Sequence, residues 1–241
     1  MNIIRRKFIT TSLFASTILA ANRLSGQDTP NAETQPSKPI RPEPKRGPRQ
    51  EPDLVFSFVQ AGHGNLPDLK ELVSQSPKLV YAAWDWGGGD WETALGGAAH
   101  IGHQECAQYL LSQGARIDAF SAAMLGAREA IEGMVAASPS VVTSKGPHGY
   151  TLLYHAAISG VVEIADILKP YLVPESKDYT QALSAAVRGG HLGMTKWLFT
   201  NGAVNPNRRD ALGRRPLATA ISKGYIEVAN ELRRHGARVD G

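Results

Sequence analysis

Thr93-Ala-Leu-Gly-Gly-Ala-Ala-His-Ile-Gly102-His-Gln-Glu-Cys-Ala-Gln-Tyr-Leu-Leu-Ser-Gln-Gly114-Ala-Arg-Ile-Asp118 reads as two short helices joined by a tight turn. Thr93 suits an N-cap, because its hydroxyl can satisfy a free N–H of the first helical turn. Ala98 and Ala99 are small enough to let a neighbouring unit approach closely. Gly102 can take the left-handed conformation that ends a helix without a Cβ penalty. Cys106, Ala107, Leu110 and Leu111 then recur at helical spacing and give a second helix one apolar face. Gly114-Ala115 breaks that helix. The setting of Gly102 returns at Gly64, Gly126, Gly160, Gly190 and Gly224, with successive intervals of 38, 24, 34, 30 and 34 residues. A period of about 32 residues predicts stacked units, each burying its apolar face only against its neighbours.

The same frame runs from Thr151 through Gly160 into Glu163–Leu168. It returns from Ala182 through Gly190 into Met194–Leu198 and Asn201-Gly-Ala203, then from Pro216 through Gly224 into Ile226–Leu232 and His235-Gly-Ala237. With these units in view the chain resembles the ankyrin-repeat family, whose units run T-P-L-H-x-A-A-x-x-G-H and finish in G-A. Four units match well, over Thr93–Asp118 and Thr151–Asp240. Two are degenerate, Phe56–Leu79 and a shortened Ala122–Val142. No unit carries the full T-P-L-H, and Gly96, Tyr154, Ser184 and Ala218 stand where the family usually has histidine. The resemblance implies an all-α solenoid of about six helix-turn-helix units with connecting hairpin fingers. It also implies a protein partner held on the concave face and the finger loops, with no enzymatic activity and no cofactor.

Charge placement removes one function class. The 241 residues carry a net charge of +4. Arg5, Arg6 and Lys7 supply three of those charges, whereas residues 54–241 hold 17 basic and 17 acidic side chains. A nucleic-acid footprint over the array is therefore not expected. Within it, residues 54–187 have 7 basic and 13 acidic side chains, and residues 188–241 have 10 and 4. Cys106 is the single cysteine, which excludes an internal disulfide and suits a small buried side chain.

Residues 1–21 read as an export signal, with a basic Arg5-Arg6-Lys7 followed by an apolar stretch too short and too polar to span a bilayer. The run Arg5-Arg6-Lys7-Phe8-Ile9 resembles a twin-arginine signal, although Ile4 replaces the usual Ser or Thr. That resemblance implies a bacterial periplasmic or secreted protein without stable membrane insertion after cleavage. Residues 22–53 read as a disordered linker, since seven prolines fall between positions 30 and 53 among almost no apolar side chains. Residues 54–241 form the repeat domain.

Candidate binding residues lie where the period is interrupted. Trp84, Trp86, Asp90 and Trp91 occupy the long first interval around Gly87-Gly88-Gly89. Tryptophan offers a large apolar area and an N–H donor, the chemistry of an interface anchor. Two arrangements satisfy this cluster: the rings can bind a protein or stack on a carbohydrate, or they can fold over the degenerate first unit. His148 and Tyr150 stand on a second odd connection, and His100 on an inner helix. With Asp90 and His155 they can converge into a polar patch. Arg208, Arg209, Arg214 and Arg215 form a basic loop suited to an anionic partner. The histidines are spread too widely along the chain to specify a metal site, and no nucleophile–base spacing marks a catalytic one. His103 and His191 hold the structural Gly-His position of their repeats, with His63 and His235 placed alongside them.

Overall fold

The computed structural model describes residues 48–239. The export signal expected at residues 1–21, and the linker up to residue 47, lie outside the described residues. The first helix, α1 (Pro52–Gly62), starts two residues before the boundary placed at residue 54, because Pro52 suits the first helical position.

Twelve helices among the described residues pair into six units. They are α1 with α2 (Leu66–Gln75), α3 (Ala94–Ile101) with α4 (Gln104–Ser112), and α5 (Ala119–Met124) with α6 (Arg128–Ala137). These are followed by α7 (Leu152–Ser159) with α8 (Val162–Leu168), α9 (Lys177–Gly189) with α10 (Leu192–Asn201), and α11 (Pro216–Ser222) with α12 (Ile226–Arg234). The first helix of each unit packs on the first helix of the next, and α6, α8, α10 and α12 form a second row. The described residues thus form the expected all-α solenoid of six helix-turn-helix units.

The local chemistry is as the repeat dictates. The Thr93 and Thr151 hydroxyls accept from the backbone N–H of Gly96 and Tyr154. Ala98, Ala99, Ala156, Ala157, Ala185 and Ala186 are buried between neighbouring units. The trimmed third unit has a first helix of only six residues, α5. It lets the next unit reach past it: the Tyr154 hydroxyl donates to the His100 carbonyl at 3.2 Å.

All six repeat glycines have positive φ, but their surroundings differ. A Cβ at Gly160 would lie 2.4 Å from Nδ1 of His191, whose Nε2 contacts the Ile158 carbonyl at 2.9 Å. A Cβ at Gly224 would meet nothing within 4 Å. Gly224→Ala should therefore cost about 1 kcal/mol from backbone strain alone. Gly160→Ala should cost about 2 kcal/mol, because the ring must also move. Urea denaturation of both variants checks this, and equal losses would remove His191 from the account.

The connections are less uniform than hairpin fingers throughout. Between α2 and α3, the strands β1 (Ala83–Asp85) and β2 (Trp91–Thr93) pair antiparallel with Trp84 opposite Glu92. The Asp85 carboxylate accepts from the Gly87 N–H at the tip. Between α6 and α7 a single bridge joins Lys145 to Thr151 around a tight turn at Pro147–Gly149.

Candidate functional site

Alternation along β2 sends Trp91 and Glu92 to opposite faces, as a period of two requires. Trp91 is 60% exposed, whereas Glu92 is 1% exposed. Burial of a carboxylate demands partners. Trp86, across the hairpin, donates its indole N–H to Glu92 Oε2 at 2.7 Å. His63, which caps the C-terminal end of α1, places Nε2 at 3.3 Å from the same oxygen. His100, from the last turn of α3, places Nε2 at 3.0 Å from Glu92 Oε1 and 3.0 Å from His63 Nε2. His148, from the connection between α6 and α7, brings Nε2 to 3.6 Å from Glu92 Oε2.

Two of the histidines are fixed from behind. The Nδ1 of His63 lies 3.0 Å from the Val59 carbonyl one turn back along α1. Asp90 holds His148 twice, accepting from its backbone N–H at 2.9 Å and meeting its Nδ1 at 2.8 Å. That grip stabilises a left-handed backbone at His148, the one described non-glycine residue with positive φ, at 57°. Such a conformation costs free energy and persists only when its surroundings impose it. Tyr150 completes the wall, stacked 5.8 Å from the His100 ring and 4.1 Å from Tyr154.

The charges are coupled. Burial pushes the Glu92 carboxyl upward, but the His100 and His63 side chains override it and hold its pKa at about 2. The hydrogen bond to Glu92 raises the pKa of His63, while burial lowers that of His100. The cluster is one buried anion ringed by imidazoles.

Trp86, Asp90, His100, His148 and Tyr150 thus meet in one site. His155 does not join them: it is buried against Phe120 and Tyr154, with Nδ1 at 2.8 Å from the Thr151 carbonyl. Histidines that are scattered in sequence are not scattered in space. His63, Glu92, His100 and His148 each offer one ligand atom, and these atoms all lie within 4.8 Å of one another. Sequence reading missed Glu92 and set His63 among the structural histidines. One available signal separated His63: it precedes its repeat glycine, whereas His103 and His191 follow theirs. Those two do serve neighbouring backbone, His103 by accepting from the Cys106 N–H that opens α4.

The tryptophans divide between the two arrangements left open. Trp84 and Trp86 pack edge-on against Phe56 of α1 at 5.3 and 5.8 Å and cover the core of the first unit. Trp91 points outward, beside a groove of about 320 Å³ whose walls include Gly89, Asp90, Phe120, Lys145 and Pro147. The basic loop lies in the connection between α10 and α11. Three of its arginines brace the loop itself: Arg209 donates to the Gly213 carbonyl, Arg214 pairs with Asp210 at 2.9 Å, and Arg215 donates to the Asn207 carbonyl. No described helix is long and apolar enough to cross a membrane.

Residues 90–121 match the family model for the ankyrin repeat, and residues 169–241 match that for ankyrin repeats in three copies. No curated protein matches the chain. The helical solenoid carries ankyrin repeats over these two stretches, and such repeats imply protein partners.

Proposed function

We propose that this ankyrin array is an exported scaffold that binds a protein through the finger row on which Trp91 stands. The observation that carries the reading is the exposure of Trp91, 60%, at the rim of a groove between two fingers. A large aromatic ring left in water beside a concavity is the usual form of an interface anchor. Asp90 and Lys145 give the groove a charge of each sign for orienting a partner. Export rests on the Arg5-Arg6-Lys7 leader and the acid-free stretch that follows it.

Crosslinked capture from the native periplasm, with wild-type and Trp91→Ala proteins, tests both halves. Removing the ring should weaken partner binding at least about ten-fold, within the range of a hot-spot truncation. The thermal midpoint should stay nearly constant, because Trp91 is largely outside the core. Unchanged capture by the variant, or absence of the protein from the periplasm, overturns the corresponding half. A carbohydrate stacked on Trp91 would instead change tryptophan emission with no protein partner present.

A further inference from the structure

We propose that His63, Glu92, His100 and His148 bind one divalent transition-metal ion of the zinc type, through three imidazole Nε2 atoms and the Glu92 carboxylate. A four-coordinate zinc ion with bonds of about 2.0–2.1 Å separates its ligand atoms by roughly 3.3–3.4 Å. The cluster has contacts of 3.0 Å between His63 and His100, 3.0 Å between His100 and Glu92, 3.3 Å between His63 and Glu92, and 3.6 Å between His148 and Glu92. The remaining pairs lie within 4.8 Å, so the side chains must rotate inward to close on an ion.

The hydrogen bonding points to a cation at the centre. The Val59 carbonyl and the Asp90 carboxylate each take an N–H from the Nδ1 side of a ring, which leaves Nε2 of His63 and His148 as lone pairs whenever those rings are neutral. Both lone pairs face a carboxylate. Glu92 Oε1 has only the His100 Nε2 beside it, at 3.0 Å, and no other partner, while Oε2 is held by the Trp86 indole. Lone pairs facing a carboxylate repel unless a proton or a metal cation lies between them. The outer partners are those that orient ligands in metal sites: a backbone carbonyl and a carboxylate behind histidines, and an indole N–H on the ligating carboxylate. Three imidazoles suit Zn²⁺, Co²⁺, Ni²⁺ or Cu²⁺, whereas Mg²⁺ and Ca²⁺ need several oxygens that the cluster does not supply. The ligands come from the C-cap of α1, from β2, from α3 and from the connection before α7, so an ion here ties two fingers to the inner helices.

The test uses the untagged full-length chain, stripped with a chelator and titrated with Zn²⁺ alone by calorimetry and by competition with a chromogenic chelator. Saturable binding of one ion per chain is expected. Cobalt should give the intense visible bands of a four-coordinate ion. His148→Ala, at a half-exposed connection residue, and Glu92→Gln should each weaken binding more than about ten-fold, and Asp90→Asn by about 10–100-fold through loss of ring orientation. His235→Gln, remote from the cluster, should bind like wild type. Circular dichroism confirms that each protein is folded. If folded wild-type protein binds no zinc, a proton alone closes the cluster and the proposal fails. It fails equally if His148→Ala and Glu92→Gln bind as tightly as wild type.

Discussion

Between pH 6.5 and about 4 the wild-type protein should lose about 3 kcal/mol of unfolding free energy that a His155→Leu variant retains. His155 has no exposed surface, and its Nε2 is buried without a hydrogen-bond partner. Burial is the main reason its pKa falls to about 4; the Thr151 carbonyl offsets part of that, His100 adds to it, and Asp118 opposes it. The ring stays neutral in the folded chain over a range where the unfolded chain takes up a proton. Its contribution is thus fully present above pH 6.5 and declines as the pH falls toward 4. Glu92 acts lower, between about 4.5 and 2, again losing stability as the pH falls. His63 has the opposite sign: its raised pKa adds stability in acid that is lost as the pH rises through its folded value. Both residues are common to the two proteins, so the difference between the urea midpoints isolates His155. The variant gives up the bond to Thr151 and starts lower by about 1 kcal/mol. Parallel pH profiles for the two proteins would show that His155 is not held neutral.

The repeat was legible because its determinants are local. A glycine that must turn left, two alanines that must be small, and a threonine that must cap are each legible within ten residues. Gly102, Ala98, Ala99 and Thr93 do those things. The trimmed third unit was legible from the 24-residue interval, and appears as the six-residue α5.

The site was legible only in part, because its parts are joined over long sequence separations. His148 meets Asp90 across 58 residues, and His100 meets His63 across 37. Asp90 and His148 could be grouped because each lies at a break in the period, and His100 because its inner helix runs beside those breaks. Glu92 could not, since it sits between a tryptophan and a capping threonine and is buried only when the hairpin pairs. The tryptophans needed the same information: strand alternation turns Trp91 out, while Phe56 draws Trp84 and Trp86 inward. The arginine loop was legible as basic and as a loop. Its guanidinium groups find loop carbonyls and Asp210, which a count of charges does not show.

Removal of the buried carboxylate is the other large effect. With chelator present, Glu92→Ala should destabilise the metal-free protein by about 3 kcal/mol, the low end for breaking a buried charged pair. The low end applies because the His63 side chain is 23% exposed and regains water when its partner is lost. Glu92→Gln should cost only about 1–2 kcal/mol, since an amide oxygen can still accept from the Trp86 indole while the charge is gone. The two variants also differ in tryptophan emission. Alanine frees the indole to meet water and shifts its fluorescence to longer wavelength, whereas glutamine leaves it near the wild-type position. Urea denaturation followed by both circular dichroism and fluorescence checks the ranking. A Glu92→Ala protein within about 0.5 kcal/mol of wild type would mean that the hairpin stands on Phe56, Trp84 and Trp86 alone, the cluster adding nothing to the apo fold. The expected order, alanine worse than glutamine and both worse than wild type, instead makes Glu92 the residue that ties β2 to α1 and α3. The hairpin that presents Trp91 then depends on a carboxylate buried beneath it.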